Sequence, residues 1–163
     1  MSELNLSGVE LLAWCDETAS RWEKFIGEHP AILQLPCDIA ESKTVAELLR
    51  HFVGAELRYS ERLLGLPLTK NEEIPLTLEA LSATHRRAHE FYAQLLADSS
   101  FDWLQIITFT TRGGETWRLS AKKIFLQANL HTIRHYAQLH PIVRQHGYTP
   151  DWLGDFLGTD TMA

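Results

Sequence analysis

The chain has 163 residues, 45% of them hydrophobic and 22% charged, and a formal net charge of −6. That length suits one domain, residues 1–163, able to bury roughly 70% of its unfolded surface as an unaided core. The acidic balance argues against a nucleic-acid backbone or an anionic membrane surface as the main partner, and no apolar run is long enough to span a bilayer.

The opening Met1-Ser2-Glu3-Leu4-Asn5 lacks the charged-then-apolar pattern of a signal peptide. Cys15 and Cys37 are therefore expected as reduced thiols in a cytoplasm. Ser7 is a good N-cap for a first helix that ends at Gly27, with Leu11, Trp14, Thr18, Trp22 and Phe25 facing the core. A loop follows at His29-Pro30 and Pro36. The second helix opens on the capping-box pattern Thr44-Val45-Ala46-Glu47 and closes near Gly65, with Val45, Leu48, Leu49, Phe52, Ala55 and Leu63 as its stripe. The third starts at Thr77 and runs to about Ser99, with Leu78, Leu81, Ala88, Tyr92 and Leu95 inward.

Between the third and fourth helices the pattern changes. Gln105 to Thr111 is rich in Ile, Thr and Phe, and Thr116 to Leu119 returns after Arg112-Gly113-Gly114-Glu115. This reads as a β-hairpin closed by a two-residue Gly-Gly loop, because glycine accepts positive φ. Ser120 then caps a fourth helix that reaches about His146, with Pro141 expected to bend or shorten it. Thr149-Pro150-Asp151 opens a short last helix through Phe156. The expected fold is all-α: a four-helix bundle, with a hairpin before the fourth helix and a short C-terminal helix.

Three histidines stand out. His131 and His135, one turn apart, lie on the line Ile124, Ala128, His131, His135, Gln138, Ile142. His51 lies between Leu48 and Ala55 on the second helix. A lone inward histidine is ordinarily a bonded core residue. Three together can satisfy their nitrogens on one shared divalent ion, Zn²⁺ or a relative, with a coordination position left open. His85 and His89 repeat the His-x-x-x-His spacing on the third helix. His89, among Arg86, Arg87 and Glu90, reads as a solvated surface residue. His85 falls on the core line and is a structural histidine, a support for a ligand or a fourth ligand.

Leu48-Leu49-Arg50-His51 followed by Glu56, and Asn129 through Gln138, resemble the DinB/YfiT-like superfamily of metal-binding four-helix bundles. Members often continue the second histidine of the pair as His-Arg-Gly-Gln; here Gln138 matches, and Tyr136 and Ala137 replace the Arg and Gly. The resemblance implies a DinB-like domain in which His51, His131 and His135 bind zinc or nickel, water completes the shell, and dimers form through helix faces. Its better understood members use low-molecular-weight thiols in S-transfer or isomerisation.

Three neutral ligands leave the ion's charge uncompensated, which suits a thiolate poised to attack an electrophile. Arg58, two turns beyond His51, is either an orienting group for an anionic substrate or a solvated cation. Gln138 binds substrate, holds a ligand or is a core-edge polar residue. Glu56, about 140° round the helix from His51, is not expected to support it. Cys15 and Cys37 read as structural thiols. The leading reading is a metal-dependent thiol transferase acting on small electrophiles. A small-molecule hydrolase lacks an obvious general base, and a non-catalytic metal- or ligand-binding module is the third reading.

Overall fold

The computed structural model describes residues 5–111 and 113–161. Local capping chemistry starts each long helix. At α1 (Gly8–Glu28), Ser7 Oγ accepts from the Glu10 amide while the Glu10 carboxylate accepts from the Ser7 amide. Thr44 caps α2 (Val45–Leu63), although the Glu47 carboxylate bonds the Lys43 amide, one residue earlier than a standard box. Thr77 caps α3 (Leu78–Ala97), and Ser120 caps α4 (Ala121–Gln145). Gly27 does not stop α1. The chain leaves the helix at His29, whose φ of −132° suits the residue before Pro30.

α1 packs on α3 and α4, and so does α2, so the pairs α1/α2 and α3/α4 are diagonal. Two apolar clusters fill the bundle. One gathers Trp22, Phe25 and Ile26 of α1 with Leu48, Leu49, Phe52 and Val53 of α2, Leu81 of α3, and Tyr136, Leu139 and Val143 of α4. The other gathers Leu11, Leu12, Leu57, Leu63, Ala88, Tyr92, Leu95, Ile124 and Phe125. Between them on every helix lies a polar level: Cys15 and Asp16, Glu56, His85 and His89, then Asn129, Thr132 and His135. Buried polar groups need partners, so this level decides what the bundle can do.

The inward faces are rotated from the expected stripes. Trp14 and Thr18 sit half-buried on a flank, while Leu12, Cys15 and Ala19 are inside. On α4 the buried residues are Ala121, Ile124, Phe125, Ala128, Asn129, Thr132, His135, Tyr136, Leu139 and Val143, a face centred between Ala128, Thr132 and Tyr136 that keeps Ile124, Ala128 and His135 of the expected stripe. His131 and Gln138 therefore lie at its edge, half-buried. α4 is not shortened by Pro141 and continues to Gln145.

β1 (Ile106–Thr110) and β2 (Thr116–Ser120) form the expected antiparallel hairpin. Its loop is longer than two residues. The Thr111 amide donates to Glu115 O and the Gly114 amide to Thr111 O, so three residues separate this pair. Only Gly114, at φ +84°, uses the left-handed region among the described loop residues. Arg112, part of the expected turn, lies outside the described residues.

The short last helix starts later than expected and is a single turn long. Residues 149–155 are irregular, and one 3₁₀ turn occupies Phe156–Gly158. This segment folds back on α1: Arg21 donates to Gly158 O, Glu17 accepts from the Asp160 and Thr161 amides, and Trp152 packs edge-on against Trp22 and Phe25. So short a helix has little intrinsic stability, and these tertiary contacts outweigh its start signal. No helix among the described residues is long and apolar enough to cross a membrane.

Candidate metal centre

α2 and α4 are neighbours, so the edge of α4 that carries His131 and His135 meets the face of α2 that carries His51. One ring nitrogen of each histidine lies within 4.8 Å of the other two. The His51 ring centroid is 5.3 Å from that of His131 and 5.1 Å from that of His135. His131 Nε2 and His135 Nε2 approach to 3.0 Å. Phe52, next to His51 in α2 and fully buried, stacks on His135 at 5.6 Å with an interplanar angle of 8°. His135 Nδ1 lies 2.7 Å from Gln138 Oε1, one turn on.

Each of these contacts constrains the chemistry of the rings. Gln138 Oε1 accepts from His135 Nδ1–H, which leaves Nε2 with its lone pair toward the cluster. Burial, then the neighbouring His135 and His51, holds His131 down at about 3. Burial also dominates at His135; with His51 and Arg134 it outweighs the opposing Gln138 bond, and the group stands at about 4. Both rings are thus neutral near pH 7, the form in which imidazole ligates a metal. The His131 Nδ1 is buried and makes no hydrogen bond. The donor set fits a divalent cation: three imidazole nitrogens, half-open to solvent through His51 and His131.

His85 stands outside this group of three rings. It and His89 belong to a second group built by α1, α2 and α3. Glu56, fully buried, takes His85 Nδ1 at 2.9 Å with Oε2 and His89 Nε2 at 3.2 Å with Oε1. On the other side, Asp16 Oδ1 lies 3.2 Å from His85 Nε2 and 2.6 Å from His89 Nδ1. His89 is 4% exposed, not solvated as its charged sequence neighbours implied.

The charges of this group are coupled. Burial alone would raise Glu56, but His85 and His89 override it and hold the carboxyl low, at about 2. Burial likewise opposes the charged form of His85, and Glu56 with Asp16 overrides it, raising the imidazole to about 9. Without an ion, protons on the rings balance the two carboxylates. The only early sign of this group was the repeated His-x-x-x-His; the carboxylates come from other helices and have no fixed spacing to it.

Arg58 donates to Asn71 Oδ1 at 2.7 Å, which ties α2 to the loop before α3. It also lines a groove of about 520 Å³ with Ala55, Tyr59, Arg62, Lys70 and Phe109, partly roofed by the hairpin. The Arg62 guanidinium lies 4.1 Å from the Phe109 ring centroid. His51, Ala55, Arg58 and Arg62 follow one another at helical spacing on one face of α2. Cys15 is buried and donates to Asn129 O at 3.6 Å, and burial pushes its thiol pKa up, as befits a structural thiol. Cys37 is half-buried and packs against the first apolar cluster.

The family model of the DinB superfamily matches residues 39–139, well over half the chain, and spans all three histidines of the α2/α4 cluster. No curated protein matches the chain. The chain belongs to the DinB superfamily.

Proposed function

We propose that this DinB superfamily member holds a divalent metal ion on His51, His131 and His135 and uses it to transfer a small thiol to an electrophilic substrate. The observation that carries this reading is the convergence of three imidazoles, two of them with Nε2 atoms 3.0 Å apart, around a half-open point. When bound, the ion supplies the Lewis acidity that keeps a thiol deprotonated as the nucleophile.

The protein's own residues do the rest. Gln138 fixes the tautomer of His135, and Phe52 fixes the plane of its ring. Arg58, Arg62 and Lys70 line the groove on the His51 side of α2 and attract anionic groups of a thiol or electrophile. The hydrolase reading needs a base to activate water. The carboxylate whose charge acts on His131 is Glu56, and both its oxygens are engaged by His85 and His89. That favours a nucleophile that arrives already acidic, a thiol. Zinc or nickel as the ion, a cytoplasmic location and a homodimer built on helix faces complete the reading.

The test compares the metal content of protein purified without an affinity tag with that of a His131→Ala variant. Metal bound in the wild type and lost in the variant supports the site; equal, near-zero content in both, also after incubation with Zn²⁺ or Ni²⁺, overturns it. A panel of low-molecular-weight thiols with a chromogenic electrophile then tests the reaction. Turnover that needs no thiol would favour the hydrolase. No turnover, together with a Tm lowered in the histidine variants, would favour a non-catalytic metal-binding module.

A further inference from the structure

We propose that Asp16, His85 and His89 form a second divalent-cation site, at the α1/α3 contact on the opposite side of the bundle from the three-histidine cluster. The argument is one of donors and acceptors. A carboxylate only accepts hydrogen bonds. Glu56 spans the inner nitrogens, His85 Nδ1 and His89 Nε2, with one oxygen on each. This places a hydrogen on each inner nitrogen. The outer nitrogens, His85 Nε2 and His89 Nδ1, are then lone-pair atoms in the neutral rings, and both face Asp16 Oδ1. In the neutral rings three acceptors converge with no hydrogen among them; a second proton on each ring resolves that conflict, and so does a cation, which holds all three atoms at once.

Three further observations support an ion there. One ligand atom from each of Asp16, His85 and His89 lies within 4.8 Å of the others, the same closeness as in the three-histidine cluster. His89 Nδ1 is buried and makes no hydrogen bond; Asp16 Oδ1 is 2.6 Å away but misaligned for one. A proton is shared well only along a near-linear path, whereas a metal ion accepts donors from several directions. The carboxylate behind the two rings is also the support that ligating histidines ordinarily have, a hydrogen-bond acceptor for the nitrogen that faces away from the metal. Two imidazoles and one carboxylate suit zinc or another first-row divalent ion. Asp16 is 52% exposed at its side chain, so the ion has a path in and solvent can fill its remaining positions.

The proposal is independent of the thiol-transfer reading, and one experiment separates them. Metal-free full-length protein is titrated with Co²⁺, followed by its visible absorption, and with Zn²⁺, followed by elemental analysis after desalting. Three proteins are compared: wild type, a His131→Ala/His135→Ala variant and an Asp16→Asn/His89→Gln variant.

Two equivalents in the wild type and one in each variant are expected. One equivalent in the wild type that survives His131→Ala/His135→Ala but is lost in Asp16→Asn/His89→Gln would support this site while removing the other. One equivalent lost only in His131→Ala/His135→Ala, or an Asp16→Asn/His89→Gln protein that binds as much metal as the wild type, would overturn it. Should the Asp16→Asn/His89→Gln protein not fold, Asp16→Ala alone replaces it, because this half-exposed side chain can be removed without opening the core. Its expected result is at least a tenfold weaker second equivalent, and unchanged affinity would overturn the proposal.

Discussion

Gln138 Oε1 accepts a hydrogen bond from His135 Nδ1 at 2.7 Å, and this contact decides which nitrogen of the ring faces the cluster. Replacing Gln138 by Leu frees the ring to turn and to change tautomer. Metal affinity at the three-histidine site should fall roughly 10- to 100-fold, the usual effect of losing such a partner. Gln138→Glu should keep the affinity, since a carboxylate accepts the same bond. Competition with a chromophoric chelator measures both. An unchanged affinity in Gln138→Leu would mean that the ring is held by packing alone.

Phe52 makes the packing contribution measurable. It is fully buried, stacks on His135 and meets Tyr136 edge-on at 4.7 Å. Phe52→Ala should cost about 3–5 kcal/mol of stability from the cavity it leaves. Phe52→Leu keeps most of the volume and should cost less, yet it removes the flat surface under the imidazole. The expected signature is weaker metal binding in Phe52→Leu at a nearly normal Tm. A variant that loses stability and affinity only in parallel would argue that Phe52 is merely core.

The groove predicts a charge effect on substrate binding. Arg62→Ala removes one of the three cations that line it among the described residues, without touching the histidines. For an anionic thiol, KM should rise about tenfold, equivalent to about 1.4 kcal/mol, with kcat little changed. The rise should shrink as ionic strength increases, because these charges face solvent. The same KM for a neutral thiol and an anionic one in wild type and variant would remove the groove from the mechanism.

The stability of chelator-treated protein should peak near pH 6.5, for reasons that can be signed group by group. His85 is raised to about 9 from its ordinary value of 6.5, so its contribution is complete below 6.5 and lost as pH rises through 9. Glu56 is depressed to about 2, so its contribution is present above its ordinary value of 4.5 and lost as pH falls toward 2. His131 and His135 are depressed, so the unfolded chain takes up protons before the folded one does, and stability falls as pH drops below 6.5. Thermal melts across this range should show both limbs. His131→Ala/His135→Ala should move the acid limb to lower pH, and Asp16→Ala should flatten the alkaline limb. A melt temperature that does not change between pH 6.5 and 9 would contradict the paired state of His85.

How much of this was legible in the sequence follows from how local each cause is. The caps at Ser7, Thr44, Thr77 and Ser120 are satisfied within one turn, so the starts of the four helices could be read directly. The same holds for the hairpin strands, whose composition marks them, but not for the loop, where the Thr111–Glu115 pairing sets the length. The convergence of His51 with His131 and His135 was legible because helical spacing puts them on faces that a bundle must bury. His89 was misread because its sequence neighbours are charged, while its partners, Asp16 and Glu56, sit on two other helices.

The sequence by itself determined the helices, their order and the face of α4 that carries two imidazoles, because turn-scale hydrogen bonds and the 3.6-residue period act within a few residues. Tertiary structure alone decided which helices are diagonal, and so which histidines meet each other and which meet carboxylates. It also decided that the last segment lies along α1 with a single 3₁₀ turn. A buried polar atom takes the state its partners allow, and those partners become neighbours only when the chain has packed.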